Sequence, residues 1–161
     1  MKKKYLYISF GFILVSLLLI GCGQSHSDTS SDWELTPHDT VNQLENMNMT
    51  IKKGTVSKTG LTVVFQNHSD KDYLYGEFFS LEKKIDGEWY EVPVIFEGEY
   101  GFNMIGYDLA ANSEQEWSIE WDWLYGPLDV GEYRIIKDIL EVKEPGDYQE
   151  YILAAEFSIE S

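Results

Sequence analysis

This chain has little with which to build a metal site or a nucleophile. Among its 161 residues there is one cysteine, Cys22, and there are three histidines, His26, His38 and His68. A lone cysteine cannot close an intrachain disulfide or supply the paired Cys/His spacing of a zinc site. Basic residues are scarce, 12 against 28 acidic ones, for a formal charge of −16. Such a field opposes nucleic acid and anionic lipid head groups. No Gly-x-Ser-x-Gly elbow, phosphate loop or aspartate-rich calcium loop occurs. The longest apolar run, residues 6–20, falls short of the ~20 residues that span a bilayer.

What is present begins at the N-terminus. Lys2, Lys3 and Lys4 precede that apolar run, which ends in Leu19-Ile20-Gly21-Cys22. A cationic start, an apolar helix and small residues at the cut make a secretory signal. The last four residues resemble the lipobox of bacterial lipoproteins. The competing interpretations are a plain signal peptide or a short membrane anchor with an incidental cysteine. The resemblance implies that residues 1–21 are removed and that Cys22 carries a diacylglyceryl group. Two acyl chains anchor stably where one is marginal, at ~0.8 kcal/mol per buried methylene. The expected location is the extracytoplasmic face of the cell membrane. Losing the three lysines would leave nine basic residues against 28 acidic ones, a charge near −19.

Residues 23–32 are small and polar, without periodicity, and the weaker stretch to residue 46 continues them. Residues 22–45 are therefore expected to be a flexible tether, with a reach of ~25 Å for ~20 residues. From Met47 onward the pattern is that of strands. Residues 47–51 alternate, 61–67 are β-branched and apolar, and 73–85 read as one long strand with Tyr75, Phe79 and Leu81 facing inward. Asp86-Gly87 is a hairpin turn, with 88–94 as the return strand. Residues 104–109 suggest a short strand. Trp117, Ile119, Trp121 and Trp123 alternate with Glu116, Ser118, Glu120 and Asp122, which places the apolar set on one strand face. Strands over 132–140 and 150–159 complete an all-β, antiparallel sandwich of about seven strands, in a single domain over residues 46–161.

Leu128-Asp129-Val130-Gly131-Glu132-Tyr133 has the Leu-x-x-Gly-x-Tyr form of an immunoglobulin tyrosine corner, built on Leu128, Gly131 and Tyr133. Together with the Asp86-Gly87 hairpin, Glu88-Trp89-Tyr90-Glu91-Val92-Pro93 and the tryptophan strand, this stretch resembles the bacterial Ig-like domains of Firmicute surface lipoproteins, which are Gram-positive. The resemblance covers residues 47–159 and implies a β-sandwich, while saying almost nothing of activity. A related sandwich in an intracellular proteinase inhibitor family of Bacilli is a more distant likeness.

No catalytic constellation can be assembled. His68 lies in a turn with Asn67, Ser69 and Asp70, and Glu116, Glu120 and Asp122 read as a solvated strand face. No cofactor or metal is expected. The aromatics are the stronger candidates. Tyr100, Phe102 and Tyr107 lie among glycines in residues 96–107, a loop at a sandwich end, where such folds bind. Trp123, at the end of its strand, is the tryptophan expected at the surface. The expectation is a non-enzymatic, membrane-anchored Ig-like module that binds a protein or cell-envelope component. The alternatives are an extracellular protease inhibitor and a catalytic subunit with an unrecognised carboxylate pair.

Overall fold

A computed structural model describes residues 33–144 and 146–161. The signal, Cys22 and residues 22–32 of the expected tether lie outside the described residues.

The described chain forms nine strands and one helical turn: β1 (Met47–Ile51), β2 (Gly60–Asn67), β3 (Tyr73–Tyr75), β4 (Ser80–Ile85), β5 (Glu88–Glu91), β6 (Tyr107–Leu109), β7 (Ser113–Glu120), α1 (Asp122–Tyr125), β8 (Gly131–Glu144) and β9 (Asp147–Ile159). All pairings are antiparallel. Three strands, β1-β2-β7, make one sheet, and six, with β8 at the centre, make the other. β8 pairs β9 along one edge and the β3 and β4 segments on the other. The architecture is the all-β Ig-like sandwich.

Alternation positions the core. β2 sends Leu61, Val63 and Phe65 inward, β1 adds Met47 and Met49, and β7 adds Ile119. They meet Leu81, Ile135, Ile139, Leu153 and Phe157 from the larger sheet. A fully buried Phe or Leu of this kind contributes roughly 1.5–3 kcal/mol. On the outer face of the small sheet Thr62 meets Ser118, and Lys52 pairs with Glu116 at 2.6 Å, so that face is solvated. Asp86 and Gly87 both adopt positive φ, 52° and 93°, as a two-residue hairpin between β4 and β5 requires.

Three expectations need correction. Residues 73–85 are two strands, interrupted at 76–79. Both lie along β8, but Leu74 faces Leu140 whereas Ser80 faces Ile136, so six residues on one side oppose four on the other. The interruption absorbs the two extra residues, and this split raises the strand count above the seven or so expected. The tryptophan strand stops at Glu120. The Trp121 carbonyl accepts from the Leu124 and Tyr125 amides, which turns the chain into α1 and takes Trp123 off the strand face.

The third correction concerns residues 33–46, which are not a tether. The Leu35–Tyr90 bridge, with Thr36 N–H to the Trp89 carbonyl and Glu91 N–H to the Glu34 carbonyl, adds this segment to the outer edge of β5. The Thr36 hydroxyl donates to Glu82 at 2.6 Å, and Arg134 reaches both groups. Further on, the Asn42 amide group bonds both N–H and C=O of Ala154, while the Asn42 N–H donates to Ile152 on β9. The segment is thus a strap from one edge of the large sheet to the other. It explains why β8 is buried on both faces over residues 133–137. It also blunts two strand edges that could otherwise pair with another chain.

Candidate functional site

The aromatic residues divide into a packed set and an open set. The open set starts from Phe79, which is core. Phe102 packs edge-on against it at 5.6 Å and is itself partly buried. Around Phe102 stand Phe78 at 5.4 Å, Trp123 at 5.8 Å and Tyr100 at 6.5 Å. Phe96 closes the group, 6.1 Å from Tyr100 and 6.2 Å from Trp123. Edge-to-face contacts of this kind give ~0.5–1.5 kcal/mol per pair beyond area burial. The cluster is therefore ordered by its own rings, yet Phe78, Phe96, Tyr100 and Trp123 are each more than 40% exposed.

Local chain geometry holds the loop that carries these rings. At its start, the Ile95 amide donates to the Leu124 carbonyl, which ties it to α1. The α1 turn ends at Gly126, whose φ of 68° favours glycine; a Cβ there would also meet the tip of the Ile95 side chain at 2.9 Å and displace it. Near the loop's end Glu77 accepts from Asn103 at 3.0 Å and from the Tyr107 hydroxyl at 2.9 Å. That hydrogen bond holds the Tyr107 phenol proton and raises its pKa above the usual tyrosine range. Ile95, Met104 and Ile105, on the same loop, are exposed as well. Contiguous apolar exposure rimmed by polar groups marks an interaction site more often than isolated exposed residues do.

Tyr100, Phe102 and Trp123 thus come together in one cluster. Tyr107 does not join it: its ring lies on Tyr75 at 5.4 Å, on β6. Phe78 and Phe96 belong to the cluster but did not stand out in the sequence. The adjacent pair Phe78-Phe79 held the missing clue, since two neighbouring apolar residues on an extended chain cannot both face inward.

Beside the cluster lies a groove of about 360 Å³, walled by Trp33, Phe78, Val94, Tyr100 and Tyr125, with Glu34 and Glu91 at its side. Burial pushes the Tyr125 phenol up to about 12, so it stays neutral. Burial, and then the charges of Glu34 and Glu82, raise the Glu91 carboxyl, while His38 works the other way. Nothing in the sequence pattern pointed to Trp33 or Glu34, which reach the groove only because the strap folds back.

At the corner the Tyr133 hydroxyl donates to the Asp129 carbonyl at 3.0 Å. A Cβ on Gly131 would lie 3.0 Å from Lys83 Cε and 3.3 Å from the Tyr133 ring, so a side chain there would push on the corner. Leu128 is buried beneath it. These three residues are structural. The buried charges on the large sheet are structural too: Glu82 pairs with Arg134, whose guanidinium lies 4.6 Å over Trp89. Lys137 is different. It is fully buried on the inner face of β8, its Nζ has no hydrogen-bond partner, and it lies 5.7 Å from the Trp117 ring. Burial lowers its pKa, opposed by Asp138 and Glu150. Among the described residues no group of three or more His, Cys, Asp or Glu is arranged to hold a metal ion.

The family model of the bacterial Ig-like domain matches residues 43–158. The chain therefore belongs to the bacterial Ig-like domain family, a class of β-sandwich whose domains typically serve as interaction modules rather than enzymes. Among solved structures it is similar to the ASH / PapD-like domain of human CEP192 (PapD-like domain 7), at 16% identity and a TM-score of 0.32, over 80% of this chain and 99% of that one. No curated protein matches the sequence.

Proposed function

We propose that this protein is a lipoprotein held at the extracytoplasmic membrane face by diacylglyceryl-Cys22, and that its Ig-like domain binds a protein or cell-envelope component without chemical turnover. The observation that carries the binding role is the exposed ring cluster of Phe78, Phe96, Tyr100 and Trp123 around Phe102. Rigid aromatic side chains supply large contact area at little entropic cost, which is why they dominate binding hot spots. A broad patch of this form favours a binding module over an inhibitor, which needs a single extended loop to offer a protease. The lipobox Leu19-Ile20-Gly21-Cys22 supports the anchor.

Photo-crosslinking in intact cells tests the binding role. A benzophenone amino acid at position 100 or 123 should join one defined partner, and the same group at position 150 should not. Equal products from all three positions, or none from the patch, would remove the cluster from consideration. For the anchor, Cys22→Ala should abolish the diacylglyceryl mass increment. If the increment persists on another residue, or the wild type lacks it, the lipidation assignment fails.

A further inference from the structure

We infer that the groove beside the ring cluster takes a lysine or arginine side chain presented by an extended segment of the partner, an inference that rests on the proposed binding role and specifies its chemistry. The groove offers apolar and aromatic walls, two carboxylates and no cationic side chain. Glu34 and Glu91 line it, and no Lys, Arg or His does. Carboxylates accept hydrogen bonds and donate none when ionised, so they suit an ammonium or guanidinium. They disfavour an anionic group. A neutral sugar would meet the Ser80 hydroxyl and the Tyr100 and Tyr125 phenols, which both donate and accept, but it would leave the charge of the two carboxylates unmatched.

Size and surroundings agree. About 360 Å³ lies near the lower end of the ~300–1,000 Å³ typical of ligand clefts, room for a long side chain together with part of the backbone that presents it. The walls at Trp33, Phe78 and Tyr100 suit the methylene stem of such a side chain, and aromatic faces attract its cationic head. Glu82 is already held by Arg134, so the unmatched like charge at the groove is that of Glu34 and Glu91, which an incoming cation offsets. The neighbouring ring cluster then receives the apolar residues that flank the cation. With the signal removed, nine basic residues against 28 acidic ones, a charge near −19, draw such a segment in from solution.

The test uses the full lipidated chain in detergent micelles. The probe is a fluorescein-labelled peptide, Ala-Lys-Ala-Lys-Ala, read by anisotropy. Its lysine-acetylated form serves as the neutral comparison. Glu34→Gln with Glu91→Gln should weaken binding of the lysine peptide by about tenfold or more, whereas Glu144→Gln with Glu150→Gln, the same charge change on the β8–β9 hairpin, should weaken it less than about twofold. Three results would overturn the inference: no binding, equal binding of the acetylated peptide, or equal losses from the two double variants, which would mean a diffuse charge effect. Crosslinks from positions 100 and 123 together with any of these would leave the binding role standing and remove only its cationic specificity. Absent crosslinks would remove the role itself.

Discussion

Trp121 and Trp123 are two residues apart and have opposite fates. Trp121 is wholly buried, its Nε1 donates to the Lys58 carbonyl at 2.9 Å, and its ring lies 5.7 Å from Phe157, which in turn stacks on Tyr133. Trp123 is 45% exposed and its Nε1 bonds only the nearby Glu120 carbonyl. The regions around them differ in the same way. Around Trp121 every ring is closed in by both sheets and by the corner. Around Trp123 the rings are closed in by one another. The contrast teaches that aromatic content does not by itself mark core or site. What decides is whether a ring is packed by the sandwich or by a loop hung on its end.

The largest effect should come from the packed side. Trp121→Ala removes a fully buried indole, its hydrogen bond and its contact with Phe157. Such a truncation typically costs ~3–5 kcal/mol, a large share of a stability of ~5–15 kcal/mol. Urea denaturation should show a much lower midpoint. A midpoint within error of wild type would mean the indole is not packed as described and would dissolve the contrast.

Lys137 sharpens the contrast from inside the core, where a charge stands in a place suited to a hydrocarbon. Lys137→Met keeps the stem and removes the unpartnered amine. It should stabilise the domain at neutral pH by roughly 1–3 kcal/mol, the cost of burying an uncompensated polar group. The sign of the pH dependence follows from the lowered pKa. Between the folded value and the ordinary lysine value of ~10.4, the unfolded chain binds a proton that the folded chain refuses. Wild-type stability should therefore rise with pH across that window, and Met should lose its advantage as pH approaches the upper limit. A destabilised Met variant at neutral pH would show that the ammonium has a favourable interaction there.

Much of this division was legible in the residues, and the failures have physical causes. Alternation marked β1 and β7, a β-branched apolar run marked β2, and Asp86-Gly87 marked the hairpin, because all of these depend on local rules. The Leu128–Gly131–Tyr133 spacing was legible because a corner is built from neighbours in sequence. The break at 76–79 was hidden, since both halves are apolar and strand-like, although Gly76 is the residue type that marks such interruptions. Trp123 leaves its face because the Trp121 carbonyl starts a helical turn, which the alternation of Asp122 and Trp123 does not reveal. The strap was missed altogether. Trp33, Thr36 and Asn42 are held by contacts far away in the sequence and share no period. Lys137 was unreadable for a related reason: in Arg134-Ile135-Ile136-Lys137 a lysine at an inward position is masked by apolar neighbours on both faces.

The corner should give a smaller effect. Tyr133→Phe deletes the donor to the Asp129 carbonyl and leaves the ring on Phe157. One hydrogen bond of this type contributes ~0.5–1.5 kcal/mol net. The urea midpoint should fall by a corresponding modest amount. No change would mean the corner is held by ring packing alone.

The smallest stability effect should be that of Trp123→Ala. Its ring meets Phe96, Tyr100 and Phe102, all within the loop cluster. Its three edge-to-face contacts order the loop, and because a surface loop opens locally before the sandwich unfolds, their loss should shift the global midpoint by no more than ~0.5 kcal/mol. The same substitution should change quenching far more than stability, because Trp121 is inaccessible while Trp33, Trp89 and Trp117 are only partly exposed. Acrylamide is the suitable quencher, since an anion such as iodide is repelled by the acidic surface. The readily quenched fraction of tryptophan emission should drop sharply in Trp123→Ala, with the urea midpoint nearly unchanged. A large loss of stability would show that the loop cluster is a second core. The open and packed regions would then differ in place and not in kind, and the aromatic surface would lose its claim to be a binding platform.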